Sequence, residues 1–251
     1  MGALRRVDPA ALEPIAARAW PAAEEGRIGG WRLHATDGYS RRINACWPLA
    51  DPGMALAEAV TRAEAWYAAR GRPAIFKLMD GDDEPADLAT HLAGLGYRPH
   101  TRTLVMTGPA SGEAESAVCV HAAVDDTFEA VFAAAGAGDP GDTRERLETL
   151  RRVPAPRAFA LAAAAGAPAA IGACAVEGEW AGVFAMRTAP LHRRAGHARR
   201  VLSALMAAAR QTGARRAWLQ VEADNAPALA LYNGLGFEAA YGYRYWSRAI
   251  G

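Results

Sequence analysis

Residues 183–209 read VFAMRTAPLHRRAGHARRVLSALMAAA, and the rest of the chain is organised around them. The stretch has three parts: an extended apolar run ending near Arg187, a turn holding Pro190 and the pair Arg193-Arg194, and a helix opening at Gly196. Gly196 and Ala198 carry almost no side chain, so a ligand can reach the backbone there, and the first N–H groups of a helix have no internal partner. Such a helix start attracts phosphate. Arg193, Arg194, Arg199 and Arg200 surround it with planar forks that suit phosphate oxygens. Val201, Leu202, Leu205 and Met206 recur at helical spacing and give the helix one apolar face for a sheet. No Lys-Ser or Lys-Thr follows the glycine, which argues against a nucleotide-hydrolysing P-loop, and GHARRV lacks the third small residue of a dinucleotide fingerprint.

The companion stretch, residues 218–246, reads WLQVEADNAPALALYNGLGFEAAYGYRYW. Trp218 to Val221 reads as a strand. Asn225 is a good N-cap, Pro227 suits a first turn, and Ala226 to Asn233 continues as a short helix stopped by Gly234 and Gly236. At helical spacing Asn225, Ala228 and Tyr232 share one face, so a carboxamide, a gap and a phenol point the same way. Arg193-x-x-Gly196-x-Ala198 followed by Asn225-x-x-Ala228-x-x-Leu231-Tyr232-x-x-Leu235-Gly236-Phe237 resembles the GNAT acyltransferase superfamily, in order and in distance. The resemblance covers about residues 117–251. It implies acetyl-CoA as donor substrate, an amine as acceptor, and a mixed, strongly twisted α/β sheet with helices on both faces.

Amine attack on a thioester requires a base for the ammonium, a donor for the oxyanion and an acid for the departing thiolate. The resemblance implies that the pantetheine arm pairs with Met186, Arg187 and Thr188, with a main-chain N–H near Met186 polarising the carbonyl. It implies further that the diphosphate rests on Arg193, Arg194, Ala195, Gly196, His197, Ala198 and Arg199, that Asn225 holds the arm, and that Tyr232 is the acid. The base departs from the family pattern. Several members carry a glutamate where this chain has Gln220, which accepts no proton. Glu222 follows two residues later and is the candidate, although a regular strand points both to one face. Glu177, Glu179, Asp139 and Asp142 on predicted loops, or a water, are the alternatives. His192 and His197 flank the turn as phosphate or solvent contacts.

Composition bounds the class. The 251 residues are 51% hydrophobic, enough for a large core, and the net charge of +1 supplies no global field for nucleic acid or an anionic membrane. The longest apolar runs are short and alanine-rich, and MGALRRVDPAALEP has no apolar signal-peptide core, so a cytoplasmic protein is expected. Cys46, Cys119 and Cys174 have no ligand spacing; neither disulfides nor a metal site is expected, and the thiols read as buried or inert.

Along the chain, residues 9–23 read as an alanine-rich helix interrupted at Pro14 and Pro21. GGWRLHATDGYSRRINACWPL reads as a hairpin turning at Asp37-Gly38, with Trp31 and Trp47 in the core and Arg41-Arg42 on a solvated edge. A helix over Met54–Arg70, a strand over Ala74–Met79, an acidic loop Asp80–Glu84, a helix over Ala86–Ala93 and a strand over His100–Met106 follow. His91 to Tyr97 reads HLAGLGY, 140 positions before the LYNGLGF of Leu231 to Phe237, which points to an internal duplication. By that offset Ala50-Asp51-Pro52-Gly53-Met54-Ala55 matches the phosphate turn without its arginines, and Asp51 would repel phosphate. The first half is therefore a degenerate GNAT-like copy, residues 1–112, expected to hold no cofactor. Its roles are to complete the sheet, wall the acceptor cleft or mediate assembly such as a homodimer. Gly108 to Ser116 is small and polar as a linker is. Residues 113–251 form the catalytic copy, with the pattern βααβββαβαβ.

The sequence thus reads as tandem GNAT folds and an acetyl-CoA-dependent N-acetyltransferase for a small-molecule or peptide amine. A non-catalytic acyl-CoA sensor or regulatory module is the competing class. Tyr241, Tyr243, Tyr245 and Trp246 line an acceptor pocket or form a core strand, and the acidic loops suggest a cationic amine.

Overall fold

The computed structural model describes residues 7–81, 87–135 and 139–248. The chain runs α1 (Pro9–Ala19), β1 (Glu24–Ile28), β2 (Trp31–Ala35), β3 (Cys46–Pro48), α2 (Leu56–Ala68), β4 (Phe76–Met79), α3 (Leu88–Gly94), β5 (Arg98–Pro109), β6 (Val118–His121), α4 (Asp126–Ala134), α5 (Pro140–Arg152), β7 (Arg157–Ala164), β8 (Ala167–Glu177), β9 (Trp180–Thr188), α6 (His197–Gln211), β10 (Arg216–Glu222), α7 (Ala226–Asn233) and β11 (Glu238–Ser247). From β6 onward the order is βααβββαβαβ, as the sequence pattern requires.

All eleven strands join one mixed sheet in the order β1-β2-β3-β4-β11-β5-β10-β9-β8-β7-β6. Among the described residues only β3 with β4 and β9 with β10 run parallel, and each pair is connected through a helix, α2 or α6. The two halves exchange strands at the centre. β11 lies between β4 and β5, while β5 lies between β11 and β10, pairing Arg216↔Pro109 through Glu222↔Thr103 on one side and Ser247↔Arg98 through Glu238↔Thr107 on the other. Removing either half would therefore leave the other with unpaired edges in its interior.

One face packs α6 against β7, β8 and β9 through Val201, Leu202, Leu205 and Met206, all at most 2% exposed. The other face packs α1, α4 and α5 around Trp20, Phe128, Phe132, Phe184 and Trp218. On that face Glu13 of α1 meets Lys77 of β4 in a fully buried ion pair, and Lys77 Nζ lies 3.8 Å from the ring centroid of Trp47 and 4.1 Å from that of Tyr243. Buried charges survive only with such partners, and Tyr241 Oη completes the set by donating to Glu13 at 2.8 Å. No helix of the described residues is long and apolar enough to cross a membrane.

Three sequence expectations change. Pro14 does not interrupt α1, which runs through it to Ala19. The tight turn of the first hairpin is Gly29-Gly30, between Ile28 and its partner Trp31, not Asp37-Gly38. Strands β2 and β3 do pair, Trp31↔Pro48 to Leu33↔Cys46, but through a long connection over residues 36–45 that contains a single 3-10 turn at Arg41–Ile43. The reason is long-range. The buried carboxylate of Glu145, on α5, accepts from the N–H groups of Gly38, Tyr39 and Ser40, and from Asn44 Nδ2 at 2.8 Å. Those donors are then unavailable to a two-residue ladder turn. Finally, the small residues of 108–116 serve close approach: a side chain on Gly112 would meet the carbonyl oxygen of Ser203 at 2.2 Å, and Glu113 N–H donates to Ser203 Oγ at 2.9 Å. The expected helix start at Ala86, residues 82–84 of the acidic loop and residues 136–138 lie outside the described residues.

Candidate active site

Strands β9 and β10 pair only from Trp180↔Arg216 to Val183↔Leu219. Beyond that point β9 bulges: its pairing to β8 jumps from Ala173↔Phe184 to Ile171↔Arg187, and Ala185 sits at φ 56°. An alanine in the left-handed region is strained, and a bulge re-aims a strand away from its neighbour. The two strands diverge, and a cleft of about 350 Å³ opens between Phe184–Arg187 of β9 and Leu219–Glu222 of β10. Gly172 makes room for this geometry, since a side chain there would meet Met186 Sδ at 2.4 Å.

Helix α7 presents three residues to the cleft. Asn225 caps it, accepting from Ala228 N–H at 3.2 Å through Oδ1 and leaving Nδ2 free of that bond; Ala228 and Tyr232 lie on the same face. Tyr232 is 8% exposed, and burial pushes its phenol up to about 12, so it stays protonated at neutral pH. Glu222, exposed at the end of β10, is the only carboxylate among the residues lining the cleft. Gln220 stands beside it: Oε1 accepts from Tyr243 Oη at 2.9 Å, and Nε2 is buried with no partner among the described residues. Tyr243 and Tyr245 are at once core residues of β11 and part of the cleft wall, and Trp246 packs on the opposite face.

The turn after β9 lies between Thr188, whose carbonyl accepts from Arg193 Nε at 3.5 Å, and α6. Arg194 (φ 64°) and Gly196 (φ 80°) are left-handed, and Gly196 caps α6 without any side chain on the first-turn N–H groups. A side chain added at Gly196 would meet nothing within 4 Å, so the approach to these groups is open. Arg193, Arg194, Ala195 and Arg199 are exposed around it and Ala198 is half-buried. His197 turns inward: its Nδ1 is buried without a partner among the described residues, and desolvation, then Arg200 and His192, hold its pKa below the usual histidine range. What His197 offers outward is its backbone.

Other expected groups lie elsewhere. Glu177 pairs with Arg18, and Glu179 lies 4.0 Å from Arg216, both at the opposite end of β9 from the cleft. Asp139 caps α5 by accepting from Gly141 N–H, and Asp142 is held by Arg146. Among the described residues no cluster of His, Cys, Asp and Glu is placed to hold a metal ion. Cys46 and Cys174 are buried; Cys119 is exposed.

The sequence reading allowed the first half to wall the cleft but did not identify the residues that do so. Trp20, Tyr39, Ser40, Arg41, Arg42, Thr101 and Thr103 all line the cleft, and Arg42, expected on a solvated edge, is half-buried there. No local signal marks them. Thr101 and Thr103 arrive through the pairing of β5 with β10, residues 39–42 through the grip of Glu145 on residues 38–40, and Trp20 at the end of α1 against Phe184.

Comparison with known proteins fits this geometry. The family model described as "Probable histone acetyltransferase Rv0428c C-terminal" matches residues 8–246. The chain is 26% identical over 250 residues to an uncharacterized N-acetyltransferase, YobR, of Bacillus subtilis (strain 168), covering 93% of this chain and 96% of that one. Among solved structures, a GCN5-related N-acetyltransferase from Kribbella flavida superposes with TM-score 0.68 at 22% identity, covering 100% of this chain and 97% of its own. A GNAT-family acetyltransferase described as putative, from Novosphingobium aromaticivorans, gives 0.60 at 20% identity and 98% coverage of both. These two share the fold.

Proposed function

Because the chain belongs to the acetyltransferase family of the Rv0428c C-terminal region, within the GNAT superfamily, we propose that it is an acetyl-CoA-dependent N-acetyltransferase acting on the primary amine of a small molecule or peptide. One observation carries the reading. The bulge at Ala185 opens β9 from β10, and the cleft so formed has a protonated phenol, Tyr232, on one wall and a carboxylate, Glu222, on another.

In this reaction the amine nitrogen attacks the thioester carbonyl carbon, the C–N bond forms, and the C–S bond breaks. Glu222, directly or through one water, takes the proton the nitrogen loses. Tyr232 gives its proton to the departing sulfur, and burial keeps the phenol protonated at neutral pH until then. The backbone of residues 184–188, unpaired on its β10 side, is available to the pantetheine amides, and the open N–H groups at Gly196 to the diphosphate. The small-residue turn and the duplication signal also support the first half as a worn copy of the second, joined near residue 112.

Thiol release from acetyl-CoA over a panel of amines tests the proposal. Tyr232→Phe is expected to lower kcat by about a hundredfold or more while leaving the donor's affinity nearly unchanged. Glu222→Gln is expected to lower kcat/KM by about tenfold or more in the same assay. Binding of acetyl-CoA with no turnover of any amine would contradict catalysis and leave a binding module.

A further inference from the structure

The cleft wall is electrostatically lopsided. Four arginines, Arg41, Arg42, Arg146 and Arg187, face it against the single carboxylate of Glu222. Among the described residues, one of the four has a counter-ion. Arg146 gives Nε to both oxygens of Asp142, at 2.7 and 2.9 Å, and the exposed Arg41 reaches Thr101 Oγ1 at 3.4 Å. The other two, Arg42 and Arg187, meet no described carboxylate at ion-pair distance.

Arg187 sits on β9 just past the bulge. Its guanidinium carbon lies 3.5 Å from the centroid of the Phe132 ring and its Nη1 donates to the Phe132 carbonyl. Burial, and then the neighbouring charge of Arg146, pull its pKa down to about 10, and Asp142 offsets this only in part. A half-buried cation without a counter-ion is costly, and an incoming anion recovers that cost through charge-assisted hydrogen bonds. Arg42 approaches from the first half, on the 3-10 turn whose flanking backbone is pinned to Glu145. That anchoring fixes where the Arg42 backbone stands and limits the loop ordering a ligand must impose. Glu177, Glu179, Asp139 and Asp142, expected on loops that would draw in a cationic amine, do not line this wall, so a lysine-rich tail would meet like charge.

Building on the transferase reading above, we propose that the acceptor is a small amine whose own skeleton carries a carboxylate, and that Arg42 and Arg187 form the subsite for that carboxylate. Its amine would then lie toward Glu222 and its hydrocarbon against Trp20 and Phe132, which share the wall. Arg42 thereby makes the first half a determinant of specificity for a reaction carried out by the second.

The test uses amines that differ in one group: glycine, β-alanine, γ-aminobutyrate, phenylalanine and lysine, each beside its carboxamide. Each pair is titrated calorimetrically onto the full chain in the presence of CoA and assayed by thiol release from acetyl-CoA. At least one acid is expected to exceed its amide by about tenfold or more in affinity or kcat/KM, the equivalent of about 1.4 kcal/mol. Arg42→Gln is expected to bring that ratio to within about twofold of unity, acting on KM rather than kcat, and Arg42→Lys to retain part of it. Amides binding as well as acids throughout, no acid binding at all, or Arg42→Gln weakening both members of a pair equally would overturn the proposal. Preferential binding of acids with no thiol release from any amine would instead sink the transferase reading and leave the subsite standing.

Discussion

Two turns of this molecule look alike in sequence and differ in what they can hold. Each follows the first strand of a parallel pair and precedes the crossover helix: residues 50–55 between β3 and α2, and residues 193–198 between β9 and α6. Both contain a left-handed glycine, Gly53 at φ 69° and Gly196 at φ 80°. In the first, Asp51 folds its carboxylate back onto Gly53 N–H at 2.7 Å, so the turn carries its own anion. In the second, no side chain of the described residues caps the helix start, and four arginines stand around it. Small residues give access to backbone amides, but whether a phosphate is welcome depends on the charges beside them. The strands leading in differ as well: β3 is three residues long and pairs with β4 only at Cys46↔Phe76, whereas β9 has nine residues and a bulge.

The comparison breaks most severely if the halves are separated. Residues 113–251 expressed alone lose β5, and with it the ladder on both β10 and β11; failure to give a cooperative unfolding transition is expected, read by circular dichroism against denaturant. A folded, acetyl-CoA-binding fragment would show that the exchanged strands are dispensable. Next in size is Glu145→Ala, which strips a buried acceptor from three backbone N–H groups and Asn44. A loss of about 3–5 kcal/mol is expected in urea unfolding, together with weaker acceptor binding as Arg42 loses its support.

A smaller effect sharpens the view of the first half as a sealed body. His34, 2% exposed and packed edge-on against Trp47, is kept neutral by burial and by Lys77, its pKa lowered to about 3. The unfolded chain takes up that proton near the ordinary value of 6.5, so this contribution is fully present above 6.5 and is lost as pH falls toward 3. Between pH 7 and pH 5 it amounts to about 2 kcal/mol by linkage. His34→Leu should flatten that part of the urea-midpoint profile. Smallest of all is Asp51→Arg. It should change stability by no more than about 0.5 kcal/mol and create no second acetyl-CoA site, since α2 lacks the strand wedge beside it. A stoichiometry rising to two would show that charge alone separates the turns.

Much of the second half was legible because its signals are local. Gly196 and Asn225 begin α6 and α7 where capping chemistry puts them, and the spacing of Asn225, Ala228 and Tyr232 brought all three to one cleft. What stayed hidden depends on partners far away in sequence. Asp37-Gly38 carries the local chemistry of a hairpin turn, yet Glu145, more than a hundred residues on, takes its amide. Arg42 reads as a surface charge until the β5–β10 ladder sets its loop beside β9. The exchange of β5 and β11 is invisible to periodicity, because a strand's pattern shows which face is buried but not which neighbour it pairs with.

Calorimetric titration of acetyl-CoA into the full chain and its Gly196→Glu variant tests the central claim most directly. One site per chain is expected for the unaltered protein. In the variant, an acid at this left-handed position beside the open helix start is expected to weaken binding by about a hundredfold or more. Equal affinity in the two proteins, or no uptake by the unaltered one, would contradict the account.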